Sequence, residues 1–216
     1  MTAVDAGRPG DAWERRRFRM SLRIERAGLA LLLERGLDRV TVEQIAAEAG
    51  ISTRTFFRYF HNPRDVLTAV PRRESRRMCA ALLARPADES LLDGFHAWFR
   101  DLDRGPEPSE PTADLEVETV MLWSAIVRDA PDVVQSESRA MSALRGELET
   151  VVRQRLAVGN DDPEQVAVLA AAFAAVIWHV YTHALEQGAA IDLSARLDTA
   201  FDVLGRMHTA IAAAPA

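Results

Sequence analysis

The chain has 216 residues, of which 48% are hydrophobic and 27% charged, proportions that are ordinary for a soluble globular protein and unlike those of a disordered one. Its single cysteine, Cys79, excludes an internal disulfide and any zinc site that needs several cysteines. No run of apolar residues is long enough to predict a membrane span or a signal peptide, so we expect a cytoplasmic protein without membrane contacts.

The net charge of -6 is distributed unevenly along the chain. Residues 14–73 contain 13 Arg against 7 Asp or Glu, a net charge of +6, which leaves -12 for the rest of the chain. An asymmetry of this kind indicates that one part of a protein contacts nucleic acid. The basic segment is therefore the candidate DNA-binding part.

The N-terminal segment predicts a leader followed by a long helix. Residues 1–12 contain Gly and Pro and no apolar period, so we expect them to be disordered. A helix is predicted from Trp13 or Glu14 to Arg35, with Gly36 as the residue that ends it. Its first turns, ERRRFR at residues 14–19, are strongly basic. They are either a solvated helix end or an arm that lies against DNA phosphates.

Residues 41–60, TVEQIAAEAGISTRTFFRYF, predict two short helices joined by a tight turn. Thr41 and Gln44 fit a capping box at the start of the first helix. Gly50 stands where the chain must reverse, and Ser52 is a natural N-cap for the second helix. The second helix carries hydroxyl, Arg and aromatic side chains and no acid. This pattern is typical of a helix-turn-helix, whose second helix enters the major groove of DNA.

The rest of the chain predicts further helices and no strand. A fourth helix should begin at Pro63 with Asn62 as its cap, be kinked or split by Pro71, and end near Ala84. Others are predicted at residues 89–103, 115–129, 132–158, 163–187 and 194–213, with a Pro-rich acidic loop at 105–112. The expected fold class is all-α with about nine helices: a three-helix DNA-binding domain at 13–62, and a helical bundle for effector binding and dimerisation at 63–216.

A dense set of features between residues 23 and 67 has a known counterpart. They are the Gly36 link, Thr41-Val42, Ile45-Ala46, Ala49-Gly50, Ser52, Thr55, Phe57 and Tyr59-Phe60. In these features the segment resembles the DNA-binding domain of the tetracycline-repressor (TetR) family of bacterial regulators. The resemblance implies a homodimer, usually a repressor, that binds a near-palindromic operator and leaves it when a small molecule binds the C-terminal domain. Pro63 departs from the family, whose members usually have a phosphate-contacting Lys there, so Arg64 or His61 would have to supply that contact.

The resemblance assigns DNA contacts to the second helix of the motif and its flanks. The expected contact residues are Thr41, Ser52, Thr53, Arg54, Thr55, Phe57, Arg58, Tyr59, His61 and Arg64. Thr53, Arg54 and Arg58 are expected to reach base edges, where Arg can fork onto guanine. Thr41, Thr55, Tyr59, His61 and Arg64 are expected to hold phosphates, and Phe57 to press on a thymine methyl or cover the sugar-phosphate wall. The alternative for each is an exposed position on an ordinary helix.

Aromatic, Met and His side chains in the second half are candidate ligand contacts, with a plain helical core as the alternative. The candidates are Phe95, Trp98, Phe99, Met121, Trp123, Phe173, Trp178 and His179. We expect no cofactor and no metal site, because His179 and His183 lack a third ligand nearby. No catalytic motif is found, so no enzyme is expected.

The last two predicted helices carry apolar residues at helical spacing, and the first of them is rich in Ala. A helix that is apolar around most of its circumference must be covered on both sides. We therefore expect a four-helix homodimer interface, with internal packing as the alternative. The expected function is a dimeric DNA-binding transcriptional regulator released from its operator by a small lipophilic or aromatic ligand. The alternative is an effector-independent dimer whose C-terminal domain serves only dimerisation or protein contacts.

Overall fold

The structure is a computed structural model that describes residues 9–102, 112–129, 138–155, 162–187 and 195–203. These residues form helices and their connections, without strands, which confirms the all-α prediction for this part of the chain. The helices are α1 (Pro9–Arg35), a 3-10 turn (Leu37–Arg39), α2 (Val42–Glu48), α3 (Thr53–Phe57), α4 (Asp65–Ala84), α5 (Leu91–Leu102), α6 (Ala113–Asp129), α7 (Ser138–Arg155), α8 (Pro163–Gln187) and α9 (195–203).

The chain divides into two compact units, and the division falls at Pro71 inside α4. The first unit contains the described residues up to Val70 together with residues 112–126. The second contains residues 71–102 and the described residues from Val127 onward. The boundary expected from the sequence lies after Asn62. In the structure the first turns of α4 and most of α6 belong to the same unit as the helix-turn-helix.

Close packing of α1 against α4 explains why the start of α4 belongs to the first unit. A β-carbon added to Gly28 of α1 would lie 2.9 Å from Cγ1 of Val66, a distance that real β-carbons do not adopt. Val66 is 0% exposed and Leu67 is 2% exposed. The glycine therefore lets the two helices approach closely enough to bury this part of α4.

The second unit has its own hydrophobic core, built from α4, α5, α7, α8 and α9. Its buried members are Met78, Cys79, Leu82, Leu91, Phe95, Phe99, Leu144, Leu148, Val151, Val152, Val166, Ala170, Ala174, Ile177 and Leu197. Arg155, at the end of α7, donates hydrogen bonds to the backbone oxygens of Arg85 (2.9 Å), Pro86 (2.7 Å) and Glu89 (2.7 Å). One side chain thus holds the whole α4–α5 connection.

Four helix starts differ from the predicted ones: α5 begins at Leu91 and not at residue 89, α6 begins at Ala113 and not at residue 115, and α1 and α4 differ as well. α1 begins at Pro9 and not at Trp13, so residues 9–12 of the expected leader are helical, while residues 1–8 lie outside the described part. α4 begins at Asp65 and not at Pro63. Its predicted cap is present: Asn62 Oδ1 accepts from the Asp65 amide at 3.1 Å, and Asp65 Oδ2 accepts from the Asn62 amide at 3.2 Å.

Pro71 does not split α4, which continues from Asp65 to Ala84. Proline has no N–H, so the carbonyl of Leu67, four residues earlier, loses its donor within the helix. The indole Nε1 of Trp123, on α6, donates to that carbonyl at 2.9 Å, and Trp123 is 0% exposed. A neighbouring helix therefore supplies the hydrogen bond that the proline removes, and this is why the helix passes through the proline.

The remaining predictions are only partly covered by the described residues. The helix at Pro163–Gln187 is observed with its predicted bounds. The helices expected at 132–158 and 194–213 are seen at Ser138–Arg155 and 195–203, and their other residues lie outside the described part, as does the loop at 105–111. Within the described residues, Pro163–His183 of α8 is long and apolar enough to span a membrane by length and composition, a test that core helices also pass.

Candidate nucleic-acid interface

The helix-turn-helix is fixed by two caps and a tight turn. Thr41 Oγ1 accepts from the Gln44 amide at 3.4 Å and Gln44 Oε1 accepts from the Thr41 amide at 3.0 Å, which completes the predicted capping box. Gly50 adopts a φ of 66°, in the left-handed region, as the turn requires. Ser52 Oγ accepts from the Thr55 amide at 3.1 Å and so starts α3. These local predictions are confirmed.

Arg23 is a contributor to this geometry that sequence reasoning missed. Its Nη2 donates to the carbonyl of Ala49 at 2.8 Å and lies 3.5 Å from where a β-carbon on Gly50 would be. A cation at the C-terminal end of α2 stabilises the unpaired carbonyls there. Arg23 thereby links α1 to the turn that orients α3. No motif in the sequence marks it, because the contact joins residues 26 positions apart.

The structure separates α3 into a buried face and an exposed face. Phe56 is 0% exposed and Phe60 is 7% exposed, and their rings lie 5.7 Å apart, so both side chains belong to the core. On the other face Arg54 and Arg58 are exposed, and Phe57 is 55% exposed. Thr53, Thr55 and Tyr59 are half-buried at the edges of this face. The packed aromatic residues therefore present two Arg and a bare aromatic ring to solvent.

The two side chains that could replace the missing lysine have different surroundings. The His61 side chain is 95% exposed, with Nδ1 3.5 Å from Asp65 Oδ2. Nη2 of Arg64 lies 3.2 Å from Oδ1 of Asp38, and these two side chains are 53% and 89% exposed. An exposed pair of this kind is worth at most about 1 kcal/mol, so Arg64 can turn toward a phosphate at little cost. Both residues remain candidates for the contact.

A concave cleft of about 600 Å³ lies beside this exposed face, between the first turns of α1 and the residues that follow α3. Its lining is Trp13, Arg16, Arg17, Met20, Arg58 and Tyr59. The lining contains three Arg and no acid. The sequence had singled out the basic turns at residues 14–19, but it could not show that two of these Arg share a concavity with Arg58 and Tyr59.

The second unit contains a small apolar cavity of about 50 Å³. It is lined by Pro71, Glu74, Ser75, Met78, Trp98, Phe99, Leu144, Ile177, Trp178 and Tyr181. Three of the eight predicted ligand residues, Trp98, Phe99 and Trp178, are brought together here. Burial, and then the neighbouring Glu74 carboxylate, raise the pKa of Tyr181, so its hydroxyl stays protonated and can donate a hydrogen bond. This cavity is well below the volume of about 300–1,000 Å³ that is usual for ligand sites.

The other five predicted ligand residues do not line this cavity. Phe95 is 0% exposed in the core and its ring lies 5.8 Å from that of Phe173. His179 is exposed, and its ring stacks on that of His183 at 5.5 Å. Met121, 66% exposed, and Trp123, fully buried, belong to the first unit. Aromatic and Met residues at helical spacing thus serve three different environments that the sequence pattern does not distinguish.

Among the described residues there is no group of three or more His, Cys, Asp or Glu side chains that could hold a metal ion.

The sequence model described as bacterial regulatory proteins, tetR family, matches residues 24–70, which span most of α1 through the first turns of α4. The HTH-type transcriptional regulator TcmR of Streptomyces glaucescens is 30% identical over 152 residues, which are 70% of this chain and 66% of TcmR, slightly less than two thirds of its length.

Two solved structures have a similar fold at low sequence identity. A TetR-family transcriptional regulator from Syntrophomonas wolfei is 14% identical, with a TM-score of 0.51 over 85% of this chain and 92% of that one. NalD, the secondary repressor of the MexAB-OprM multidrug efflux pump in Pseudomonas aeruginosa, is also 14% identical, with a TM-score of 0.51 over 87% of this chain and 96% of NalD. These two structures show a shared fold. The match at residues 24–70, the similarity to TcmR and the capped helix-turn-helix place the chain in the tetR family of bacterial regulatory proteins.

Proposed function

We propose that this protein is a cytoplasmic homodimeric repressor that binds a near-palindromic DNA operator through α3. The family consists of regulators, and the chain is not an enzyme. The observation that carries the proposal is the exposed face of α3, where Arg54, Phe57 and Arg58 point to solvent while Phe56 and Phe60 anchor the helix from behind. Arg can donate two hydrogen bonds to guanine, and an apolar ring can contact a thymine methyl group.

Phosphate contacts would hold the helix in register. Ser52 and Thr41 accept hydrogen bonds from backbone amides. Ser52 Oγ also lies 3.0 Å from Thr55 Oγ1, so one hydroxyl proton of this pair can be donated to a phosphate oxygen. Thr55, Tyr59, His61 and Arg64 lie along the same stretch of chain. Contacts of this kind fix the position of the protein on the duplex and carry no sequence information.

The proposed dimer would form through α8. Val168 is 62% exposed, and Ala171, Ala175 and His179 are exposed one helical turn after another on the same face. Small side chains allow a second helix to approach closely, and the same stripe on two protomers would be self-complementary. Light scattering should give about twice the chain mass of 23.9 kDa at micromolar concentration. A monomer under those conditions would contradict this part of the proposal.

The direct test of DNA binding is selection of duplexes from a random pool with the purified full-length protein. We expect a near-palindromic consensus that binds two protomers. Arg64→Ala should then weaken binding to all sequences alike and flatten the salt dependence, since one phosphate contact per protomer contributes about 0.9 to the slope of log K against log salt concentration. A pool that shows no enrichment after repeated selection would overturn the proposal.

Whether an effector releases the DNA depends on the cavity around Trp98 and Trp178. The aromatic walls suit a small, flat, lipophilic ligand. Such a ligand would have to widen the cavity, because about 50 Å³ does not hold it. The small volume favours the second candidate function, a dimer that binds DNA without an effector.

Ligand screening separates the two candidates. A compound that raises the melting temperature and also releases the selected duplex supports the effector, provided that Trp98→Ala abolishes both effects and leaves DNA affinity unchanged. Arg100→Ala, at an exposed position on the same helix as Trp98, is the control and should keep both effects. If no aromatic or lipophilic compound releases the DNA, the effector-independent function is favoured.

A further inference from the structure

The first turns of α1 extend beyond the part of that helix that packs. Residues 13–19 are all exposed, and the first buried side chain after them is Leu22. Four of these seven residues are Arg, and two are the large apolar residues Trp13 and Phe18, which are 55% and 36% exposed. Core packing does not account for this composition. A merely solvated helix end would not need an exposed Trp beside the charges.

One face of this extension, made of residues at helical spacing, lines the 600 Å³ cleft beside α3. Trp13, Arg16, Arg17 and Met20 lie at positions i, i+3, i+4 and i+7, so they share that face. Arg15 and Arg19 have the same charge and are equally exposed, but they do not line the cleft. The helix thus has a pair of Arg that line the cleft and a matched pair that do not.

Two of the guanidinium groups in the cleft are held by aromatic rings. The guanidinium carbon of Arg17 lies 5.5 Å from the ring centre of Trp13, and that of Arg58 lies 5.5 Å from the ring centre of Tyr59. A cation over an aromatic face gains about 0.5–1 kcal/mol at an exposed site, which favours this position over the many others that a free Arg adopts. The cleft therefore presents partly ordered cations, a favourable arrangement for binding a polyanion.

We propose that this cleft is a second DNA-contacting site, which clamps the sugar-phosphate backbone next to the major-groove contact of α3. The proposal rests on the proposed function, because α3 must first bring the duplex to this side of the protein. Tyr59 is expected to hold a phosphate and also forms one wall of the cleft, so the same DNA strand continues into it. Arg16 and Arg17 neutralise phosphates there, and the Trp13 ring lies against a sugar. The clamp adds affinity and lengthens the site without selecting bases.

The test compares two double variants of the full-length protein, Arg16→Gln/Arg17→Gln and the control Arg15→Gln/Arg19→Gln. Both remove two positive charges from the same helix, and circular dichroism confirms that each remains folded. Binding to the selected duplex is measured by fluorescence anisotropy over a series of salt concentrations. For the cleft variant the slope of log K against log salt concentration should fall by about 1.8 per protomer, at about 0.9 per phosphate contact. The control should change by less than half as much.

A second arm removes base pairs from the ends of the duplex. The wild-type protein and the control variant should lose affinity as the flanks are shortened, while the cleft variant should bind long and short duplexes equally. Equal slopes for the two double variants, or an equal loss on shortened duplexes, would overturn the clamp. If the wild-type protein itself does not prefer the selected duplex, the proposed function fails before the clamp is tested.

Discussion

The hydrogen bond between Trp123 and the Leu67 carbonyl leads to a quantitative prediction. Trp123→Phe keeps an aromatic ring in the buried site but removes the N–H that lies 2.9 Å from this oxygen. Because Pro71 has no N–H, the carbonyl cannot fall back on an ordinary helical hydrogen bond. The substitution should therefore lower the free energy of unfolding more than the loss of ring volume alone would.

The polar part of this loss can be separated from the packing part. A buried carbonyl left without a donor costs about 1–3 kcal/mol, and the smaller ring adds a cavity cost of about 1–2 kcal/mol. Pro71→Ala provides an N–H at the position where the helix lacks one. In that background Trp123→Phe should cost only the cavity part, so the double-mutant cycle should give a coupling equal to the polar part, about 1–3 kcal/mol.

The assay is urea unfolding of all four proteins, followed by circular dichroism at one fixed protomer concentration, since dimer formation makes stability depend on concentration. Intrinsic fluorescence is a poor signal here because the substitution removes a tryptophan. A coupling below about 0.5 kcal/mol, within the range usual for independent sites, would refute the idea that Trp123 replaces the donor that Pro71 lacks.

Other predictions concern stability and reactivity. Gly28→Ala should lower the free energy of unfolding by about 1–3 kcal/mol, because the added β-carbon would overlap a buried valine. The control Gly146→Ala, in α7 with nothing within 4 Å, should raise it by about 0.5–1 kcal/mol. Equal effects of the two substitutions in thermal unfolding would contradict the close helix contact. Arg155→Met should lower the free energy of unfolding by about 2–3 kcal/mol, because three backbone carbonyls lose their hydrogen bonds. The control Arg153→Met, whose carboxylate partner lies 3.9 Å away on the surface, should lower it by no more than about 0.5 kcal/mol, as measured by urea unfolding. Burial raises the pKa of Cys79 from 9.0 to about 12, so iodoacetamide at a pH near 9 should label the native protein much more slowly than the unfolded one. Because the folded state holds the thiol proton to a higher pH than the unfolded state, this group lowers the free energy of unfolding as pH rises above 9.0. Equal labelling rates for the native and unfolded protein would show instead that the thiol is accessible and ionised.

The sequence predicted well those features that depend on neighbours along the chain. The capping box at Thr41, the positive φ at Gly50 and the cap at Ser52 are each determined within a few residues, so their residue types indicate them directly. The amphipathic pattern of α3 also separates Phe56 in the core from Phe57 in solvent. Local chemistry was therefore sufficient for the helix-turn-helix.

Features that depend on distant residues were not predicted. The unbroken passage of α4 through Pro71 needs Trp123, which lies 56 positions from the carbonyl it contacts. The same tryptophan was expected in a ligand pocket, because an aromatic residue at helical spacing looks alike in a core, at a cavity wall or beside a carbonyl. Arg23 was missed for a similar reason, since its acceptor at Ala49 belongs to another helix.

The clamp residues show what a sequence pattern can indicate and where it stops. The run of Arg at the start of α1 was visible as a basic segment, with a solvated helix end as the alternative. Only the structure divides it into Arg16 and Arg17, which line the cleft, and Arg15 and Arg19, which do not. Charge composition predicts that a segment can bind DNA, and the three-dimensional arrangement determines which of its charges lie together.

The central claim is that the exposed face of α3 selects the DNA sequence, and one measurement tests it most directly. Wild-type protein, Arg54→Ala and Arg54→Lys are titrated with the selected duplex and with a scrambled duplex at the same salt concentration. Arg54→Ala should lower specific affinity by about 1–3 kcal/mol, a factor of about 5–150, and relax selection at one base pair. Arg54→Lys should bind the scrambled duplex as tightly as the wild type does but should not recover the base selection. Lys keeps the positive charge but lacks the two-pronged guanidinium group that pairs with guanine. Specific affinity and base selection unchanged in both variants would contradict the claim.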